Sequence, residues 1–193
     1  TLTDRVAEAL GAKPPVRGAA PSAPAHAETG PADGWRPGVV RDWPPIDDIH
    51  TVVTDRQALE ALIAEAYESG VLGLHVSASG PDPMQTEICG IALAPEPGRT
   101  YYVPLGHRAG ETDLLGGGLA PDQMPLEAAL DALKPVLEDP SILKIGHDVK
   151  YAAKILARHG VRLDTADDAM LMSYAVESGL GGHGFTELAE RHL

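Results

Sequence analysis

The chain from about residue 50 onward carries apolar positions at two different spacings. Four apolar residues recur at the spacing of one helix face: Leu59, Leu62, Ile63 and Ala66. Residues 54–57 match a capping box that starts at Thr54, and Gly70 is a typical helix end, so a helix is predicted between them. Three apolar runs then predict strands in a meander: 71–77, 88–94 and 100–105.

The second half of the chain predicts mostly helices. Its elements, in order, are a Gly-rich loop at 107–124, a helix over 126–137, a strand at 142–145, and helices over 148–159, over 166–178 and from 185. Pro135 should kink the first of these helices or end its regular part. Met170 and Met172 are predicted to lie in the core. The order predicts an α/β domain with a mixed sheet flanked by helices.

Residues 1–45 differ in composition from the rest of the chain. Eight prolines fall among Ala, Gly and Ser residues, and such a segment buries too little apolar surface to offset the entropy of ordering. An interdomain linker is therefore predicted here, ahead of a domain over 46–193. It holds both tryptophans, Trp35 and Trp43. These either pin the linker to the domain surface or form a motif that a partner recognises.

The overall charge and the cysteine content narrow the possible functions. The net charge of −13 argues against a free-standing nucleic-acid binder, because such proteins are normally basic. A single cysteine excludes a disulfide framework and a cysteine-built zinc site. No apolar run approaches the roughly 20 residues of a membrane helix, and no export signal opens the chain, so no membrane partner and a cytoplasmic location are expected.

Ten short sequence blocks then occur in one order along residues 50–193. They are GVLGLHVS at 70–77, DPMQ at 82–85, GIAL at 90–93, YVPLGH at 102–107, LKPVLEDP at 133–140, LKIG at 143–146, KY at 150–151, LARHG at 156–160, DAMLMSY at 168–174 and LAERHL at 188–193. Together they resemble the 3′–5′ proofreading exonuclease domain of bacterial DNA polymerase I (family A). The resemblance implies a ribonuclease H-like (DnaQ-like exonuclease) fold.

The same resemblance implies a setting for the domain. A 5′-nuclease domain would precede the linker, a polymerase domain would follow the chain, and DNA replication and repair in the bacterial nucleoid would be the context. DNA would then be reached through the parent protein. In that family the fold continues beyond Leu193, so Leu188 and Leu193 are expected to lack part of their apolar cover.

The chemistry of that family depends on four carboxylates that hold two divalent cations, Mg²⁺ or Mn²⁺, beside the scissile phosphate. By resemblance, three of these positions are His75, Ser77 and Ala152, and the fourth lies beyond Leu193. Because none of the three carries a carboxylate, a degenerate active site is predicted, with no catalytic residue, no paired metal site and no cofactor. The domain would persist as a scaffold for the polymerase domain.

Two other functions remain open from the sequence. One is an active exonuclease with rearranged ligands, drawn from Asp82, His147, Asp148, Asp167 and Asp168. The other is a non-catalytic module that binds single-stranded DNA. By resemblance, three residues lie where the family contacts its substrate strand: His147, Asp148 and Tyr151.

Each of the candidate polar residues also has a purely structural interpretation. Asp148 is predicted to cap a helix, and Asp167 and Asp168 fit a first helical turn, where an anion is favoured. His183 is predicted to be solvated in a Gly-rich turn. A basic stripe at four-residue spacing is predicted to be a solvated helix face: Lys150, Lys154 and Arg158.

Overall fold

The computed structural model describes residues 50–109, 118–179 and 181–192. The predicted linker at 1–45 and residues 110–117 of the predicted Gly-rich loop lie outside these residues, so the linker stays a prediction. The described elements are β1 His50–Val52, α1 Arg56–Ser69, β2 Val71–Ala78, β3 Ile88–Glu96, β4 Arg99–Pro104, α2 Leu126–Glu138, β5 Leu143–Gly146, α3 Val149–Arg158, β6 Ala166–Asp168, α4 Ala169–Val176 and α5 Phe185–His192.

The described strands form one mixed sheet of six strands in the order β1-β4-β3-β2-β5-β6. Strands β2, β3 and β4 form the predicted antiparallel meander. The other three pairs are parallel: β1 with β4, β2 with β5, and β5 with β6. The α/β class and the mixed sheet are therefore confirmed. The sequence pattern missed β1 and β6, because three residues are too few to show a period of two.

One face of the sheet carries the core. Alternate residues of the central strands are buried, namely Leu72, Leu74, Val76, Ile91, Leu93 and Val103, and they pack with buried residues of the helices, including Leu59, Leu62, Leu133 and Leu137. Full burial of each such side chain stabilises the fold by roughly 1.5–3 kcal/mol. The three crossovers through α1, α2 and α3 all advance in the same direction across the sheet. Since parallel crossovers are right-handed, these helices lie on the same face.

The opposite face, which we call the open face, carries the other set of alternate residues. Most of the described residues of this face are not buried, namely His50, Val52, Thr100, Tyr102, Ala92, Ala94, Gly73, His75 and Ile145, whereas Gly90 and Pro104 on the same face are buried. A Cβ on Gly73 would lie 3.1 Å from the Cβ of Ala94, which places both residues on this face. Val52 is 55% exposed and Ile145 is 40% exposed. The described helices therefore leave this side of the sheet accessible.

Two local features differ from the sequence pattern. The cap of α1 is Asp55 and not Thr54, because the Asp55 carboxylate accepts the Ala58 N–H at 2.9 Å, and a charged acceptor suits a helix start. Gly70 ends this helix in the left-handed conformation, as predicted. Pro135 does not end α2, which continues to Glu138. The buried side chains of Val136 and Leu137 hold its last turn against the core despite the missing hydrogen bond.

Candidate functional site

A cleft of about 320 Å³ lies between the second half of β2 and the start of α3. Its lining includes five residues singled out from the sequence: His75, His147, Asp148, Tyr151 and Ala152. Ser77 lies two residues beyond His75, and alternate residues of a strand share a face. The fold thus gathers residues from separate segments of the chain around one cleft.

The three positions that the resemblance assigns to carboxylates differ in exposure. His75 is exposed and Ser77 is half-buried. Ala152 is 8% exposed and belongs to the apolar core. These positions therefore offer an imidazole, a hydroxyl and a methyl group to the cleft and its surroundings.

The Ser77 hydroxyl belongs to a short hydrogen-bonded chain on the open face. Burial raises the pKa of the Tyr102 phenol, and a hydrogen bond with the Ser77 side chain acts in the opposite direction. The Tyr102 hydroxyl lies 2.7 Å from Nε2 of His107. The sequence analysis placed Tyr102 and His107 only within a block of resemblance, since nothing in their spacing pairs them with Ser77.

His147 and Asp148 are both engaged in local structure. Nε2 of His147 lies 2.9 Å from the carbonyl oxygen of His183, to which it donates, and the His147 ring meets Phe185 edge-on. Asp148 has a positive φ of 53°, and its carboxylate accepts the Tyr151 N–H at 3.4 Å. The predicted cap at the start of α3 is therefore confirmed.

Asp168 joins the starts of two helices. Its carboxylate accepts the N–H groups of Asp148 at 3.1 Å and Val149 at 2.8 Å, at the start of α3. It also accepts the N–H groups of Met170 at 2.9 Å and Leu171 at 3.4 Å, at the start of α4. Asp168 is only 8% exposed. All four of these donors to the Asp168 carboxylate are backbone N–H groups.

The predicted helix over 166–178 is partly wrong. Residues 166–168 form β6, which pairs in parallel with β5, and α4 begins only at Ala169. The reason is the Asp168 carboxylate, which caps α4 from outside the helix and so leaves the backbone before it free to extend. Asp167 is likewise in the strand and not in a helical turn, and it is exposed.

The residues of α3 also fasten the loop between β2 and β3. The Tyr151 hydroxyl donates to the carbonyl of Gly80, and Arg158 donates to the carbonyls of Pro83 and Thr86. Lys150, Lys154 and Arg158 are all exposed, as predicted for a solvated helix face. Arg158 is in addition a structural anchor of the loop. In the same loop, Asp82 accepts the Met84 N–H at 2.9 Å and the Gln85 amide at 2.8 Å.

His183 is not solvated, contrary to the sequence prediction. It is 9% exposed, its Nδ1 lies 2.7 Å from the Ser173 hydroxyl, and its ring stacks on Tyr174 with centroids 3.8 Å apart. Ser173 also donates to Glu177 at 3.2 Å. The His183 side chain thus connects the Gly-rich turn to α4 through contacts with Ser173 and Tyr174.

Apolar side chains are exposed around α4 and α5. Met172 is 46%, Val176 83% and Phe185 71% exposed, and Met172 was predicted to lie in the core. Met170 is half-buried, so neither methionine lies in the core as predicted. Leu188 is half-buried, and Leu193 lies outside the described residues. These two short helices have few described neighbours against which to bury an apolar face.

The described residues show no cluster of metal ligands. Over 50–109, 118–179 and 181–192, no three His, Cys, Asp or Glu side chains converge in a way that could hold a metal ion. The helices within the same ranges are also all too short or too polar to cross a membrane.

Comparison with known proteins identifies relatives of this fold. The sequence model of a family described as 3′-5′ exonuclease, from the family A DNA polymerases, matches residues 50–193. DNA polymerase I of Rhizobium leguminosarum is 39% identical over 153 residues, and that of Pseudomonas aeruginosa is 31% identical over 147 residues. Each match covers 75% of this chain. The chain spans about 15% of the length of these curated relatives.

Solved structures show the same fold at low sequence identity. The POL domain of Pol1 from M. smegmatis, in complex with DNA primer-template and dNTP, is 22% identical with a TM-score of 0.53, over 74% of this chain and 22% of that one. Brucella melitensis NrnC is 18% identical with a TM-score of 0.50, over 73% and 57%. The ribonuclease H-like fold expected from the resemblance is thereby confirmed. The chain belongs to the 3′–5′ exonuclease domain family of bacterial DNA polymerase I.

Proposed function

We propose that this exonuclease domain has lost its metal-dependent chemistry and serves as a structural scaffold for a polymerase domain of the same parent chain. The observation that carries the proposal is the chemistry of three positions. By the resemblance, His75, Ser77 and Ala152 stand where the family has carboxylates, and their side chains supply an imidazole, a hydroxyl and a methyl group. No catalytic step through a metal is therefore assigned to this cleft.

The residues around the cleft do not fit a pair of Mg²⁺ or Mn²⁺ ions. Hard cations of this kind prefer carboxylate and water oxygens, and two of them close together need several carboxylates to offset their mutual repulsion. The lining of the cleft offers one carboxylate, that of Asp148, beside the imidazoles of His75 and His147. An imidazole suits a softer transition metal, and the described residues hold no third ligand that converges on either ring.

An active exonuclease with rearranged ligands is less well supported. Its best candidate ligands are Asp148 and Asp168, and the carboxylates of both accept backbone N–H groups at helix starts. A metal bound there would have to displace those hydrogen bonds and leave helix N–H groups without an acceptor. Asp82 is similarly committed to its own loop.

A module that binds single-stranded DNA is disfavoured by charge and by the engagement of its candidate residues. The net charge is −13, and phosphate contacts normally come from a basic surface. Tyr151 and Arg158, which could otherwise stack on a base or contact a phosphate, use their polar groups to hold the β2–β3 loop.

The parent protein follows as part of the same proposal. The relatives that match this chain are much longer DNA polymerases I. A polymerase domain beyond residue 193 and a 5′-nuclease domain before the linker would place the scaffold in DNA replication or repair, in the cytoplasm and at the nucleoid. A polymerase protein that lacks residues 50–193 should then melt at a lower temperature than the intact protein.

The deciding experiment incubates a 5′-labelled single-stranded oligonucleotide with the purified chain and with Mg²⁺ or Mn²⁺. We expect no 3′ shortening above the background of a chelator control. Loss of the chemistry supplied by two metals removes many powers of ten in rate, so a trace of a contaminating exonuclease would exceed any activity of the chain. Activity is therefore assigned to the chain only if it co-purifies with it. Shortening that co-purifies with the chain, stops with chelator and disappears in Asp148→Asn would establish rearranged ligands and overturn the proposal.

A further inference from the structure

We infer that the open face of the sheet beside its β1 edge is the docking surface for Trp43 of the same chain. The surface, which we call the β1–β4 patch, consists of His50, Val52, Tyr102 and Ala92. This inference is independent of the proposed loss of catalysis, because it concerns the edge of the sheet and not the cleft beside α3.

The β1–β4 patch combines apolar exposure with a fixed aromatic ring. Val52 is directly opposite Tyr102 in the parallel pair of β1 and β4, and Ala92 is opposite Tyr102 on the other side. Val52 is 55% exposed, and the rings of His50 and Tyr102 lie with their centroids 6.4 Å apart. A branched side chain, a ring and a small residue next to one another offer adjoining apolar surface on which an indole can pack.

The Tyr102 ring is held in place before any ligand arrives. Its hydroxyl lies 2.7 Å from His107, and its ring lies over Gly90, whose missing side chain leaves room for it. A ring that is already fixed loses little conformational freedom when another aromatic side chain packs on it. The patch is therefore preorganised for an aromatic partner.

The chain outside the described residues supplies such a partner close by. That segment ends at residue 49, next to His50 of β1, and Trp43 lies seven positions before His50. Seven extended residues span at most about 25 Å, while neighbouring strands are about 4.8 Å apart, so an indole at position 43 reaches every residue of the patch. Asp47 and Asp48 are residues that favour a turn, which the chain needs in order to fold back over the sheet.

The same tether favours an intramolecular occupant over a second copy. A short linker gives the attached group an effective concentration in the millimolar range. Two copies of a chain with a net charge of −13 repel each other. Pro44 and Pro45 further restrict the free segment, which lowers the entropy that docking must remove.

The test uses Trp35→Phe, which leaves Trp43 as the single tryptophan of the full chain. We expect blue-shifted emission and a Stern–Volmer constant for iodide at least threefold lower than that of the urea-unfolded chain. Adding Val52→Lys should raise quenching toward the unfolded value. The matched control is Met84→Lys, since Met84 is an apolar residue of similar exposure, 60%, on the β2–β3 loop; it should leave quenching unchanged.

A second measurement identifies the occupant directly. In methyl spectra, an indole on the patch shifts the Val52 methyl resonances upfield, and Trp43→Ala should remove this shift at every protein concentration. A Val52 shift that depends on concentration would assign the patch to a second copy and overturn the inference. Full exposure of Trp43 to iodide would also overturn it, and would favour recognition of Trp43 by a partner.

Discussion

The aromatic ring of Tyr102 lies directly over Gly90 on the neighbouring strand. A Cβ built on Gly90 would overlap the hydroxyl and the ring of Tyr102. Gly90 is also the cross-strand partner of Ser77. The absent side chain at position 90 is therefore what lets Tyr102 reach Ser77 on one side and His107 on the other.

Gly90→Ala should destabilise the domain, because the new methyl group has no space unless the Tyr102 ring moves. Overpacking of this kind costs about 1–3 kcal/mol in the free energy of unfolding, which urea titration measures. In a double-mutant cycle with Tyr102→Ala, the double variant should lose less stability than the sum of the losses of the two single variants. Gly80→Ala is the matched control, since its Cβ would meet only the Thr86 hydroxyl at 3.8 Å. Equal losses for the two glycine variants would contradict the packing described.

Asp168→Ala should lower the free energy of unfolding by roughly the value of two helix caps, about 1–4 kcal/mol. The side chain accepts N–H groups from the starts of both α3 and α4, and the alanine variant leaves them without an acceptor. Asp167→Ala, which removes an exposed carboxylate of the same strand, should change stability by less than about 0.5 kcal/mol. Thermal and urea unfolding of the two variants provide the comparison; similar stabilities would exclude the double cap.

The contribution of Glu177 to stability should depend on pH. A hydrogen bond from Arg191, followed by contacts with His192 and Ser173, lowers the pKa of this carboxyl below its ordinary value of 4.5. Because the folded pKa is lower than the unfolded one, the contribution is full above about pH 4.5 and disappears as the pH falls through the folded pKa. The slope of unfolding free energy against pH in that acidic range should be smaller in Glu177→Gln. An unchanged slope would show that Arg191 does not stabilise the carboxylate.

Restoring carboxylates should restore metal affinity. The triple variant His75→Asp, Ser77→Glu and Ala152→Asp places three acidic groups at the positions that the resemblance assigns to the carboxylates of the family, and we expect Mn²⁺ binding detectable by calorimetry. The matched control carries Asn, Gln and Asn at the same positions, with nearly the same shapes and no charge. Far-UV circular dichroism checks that both variants fold, since Ala152 is 8% exposed. Equal Mn²⁺ binding by the two folded variants would refute the assignment of these positions.

The sequence predicted those elements whose side chains repeat over several turns or strand pairs. The helix with Leu59 and Leu62, and the strand with Leu72 and Leu74, lie where their periods place them, because both bury a continuous face. The three-residue strands β1 and β6 were missed, since their pairing depends on neighbours far away in the chain. Local patterns carry no information about such partners.

The sequence predicted which residues line the candidate site, but it did not predict their hydrogen bonds. Resemblance grouped His75, Ala152 and Asp148, and the fold brings them to one cleft. It did not show that Asp168 caps two helices or that His183 is buried against Ser173. Those contacts join segments separated by 10 to 20 residues, and each needs a backbone direction that only the folded sheet and turn supply.

The shortness of β6 has a consequence for aggregation. A long, exposed edge strand offers a row of unpaired N–H and C=O groups to another chain and so invites intermolecular pairing. At this edge the described sheet ends in a strand of only three residues, Ala166–Asp168, and the side chain of Asp167 is exposed. A second copy of this acidic chain therefore finds few backbone groups to pair with here and meets a like charge. Strand β6 thereby limits intermolecular sheet growth at its own edge even though one sheet face is accessible.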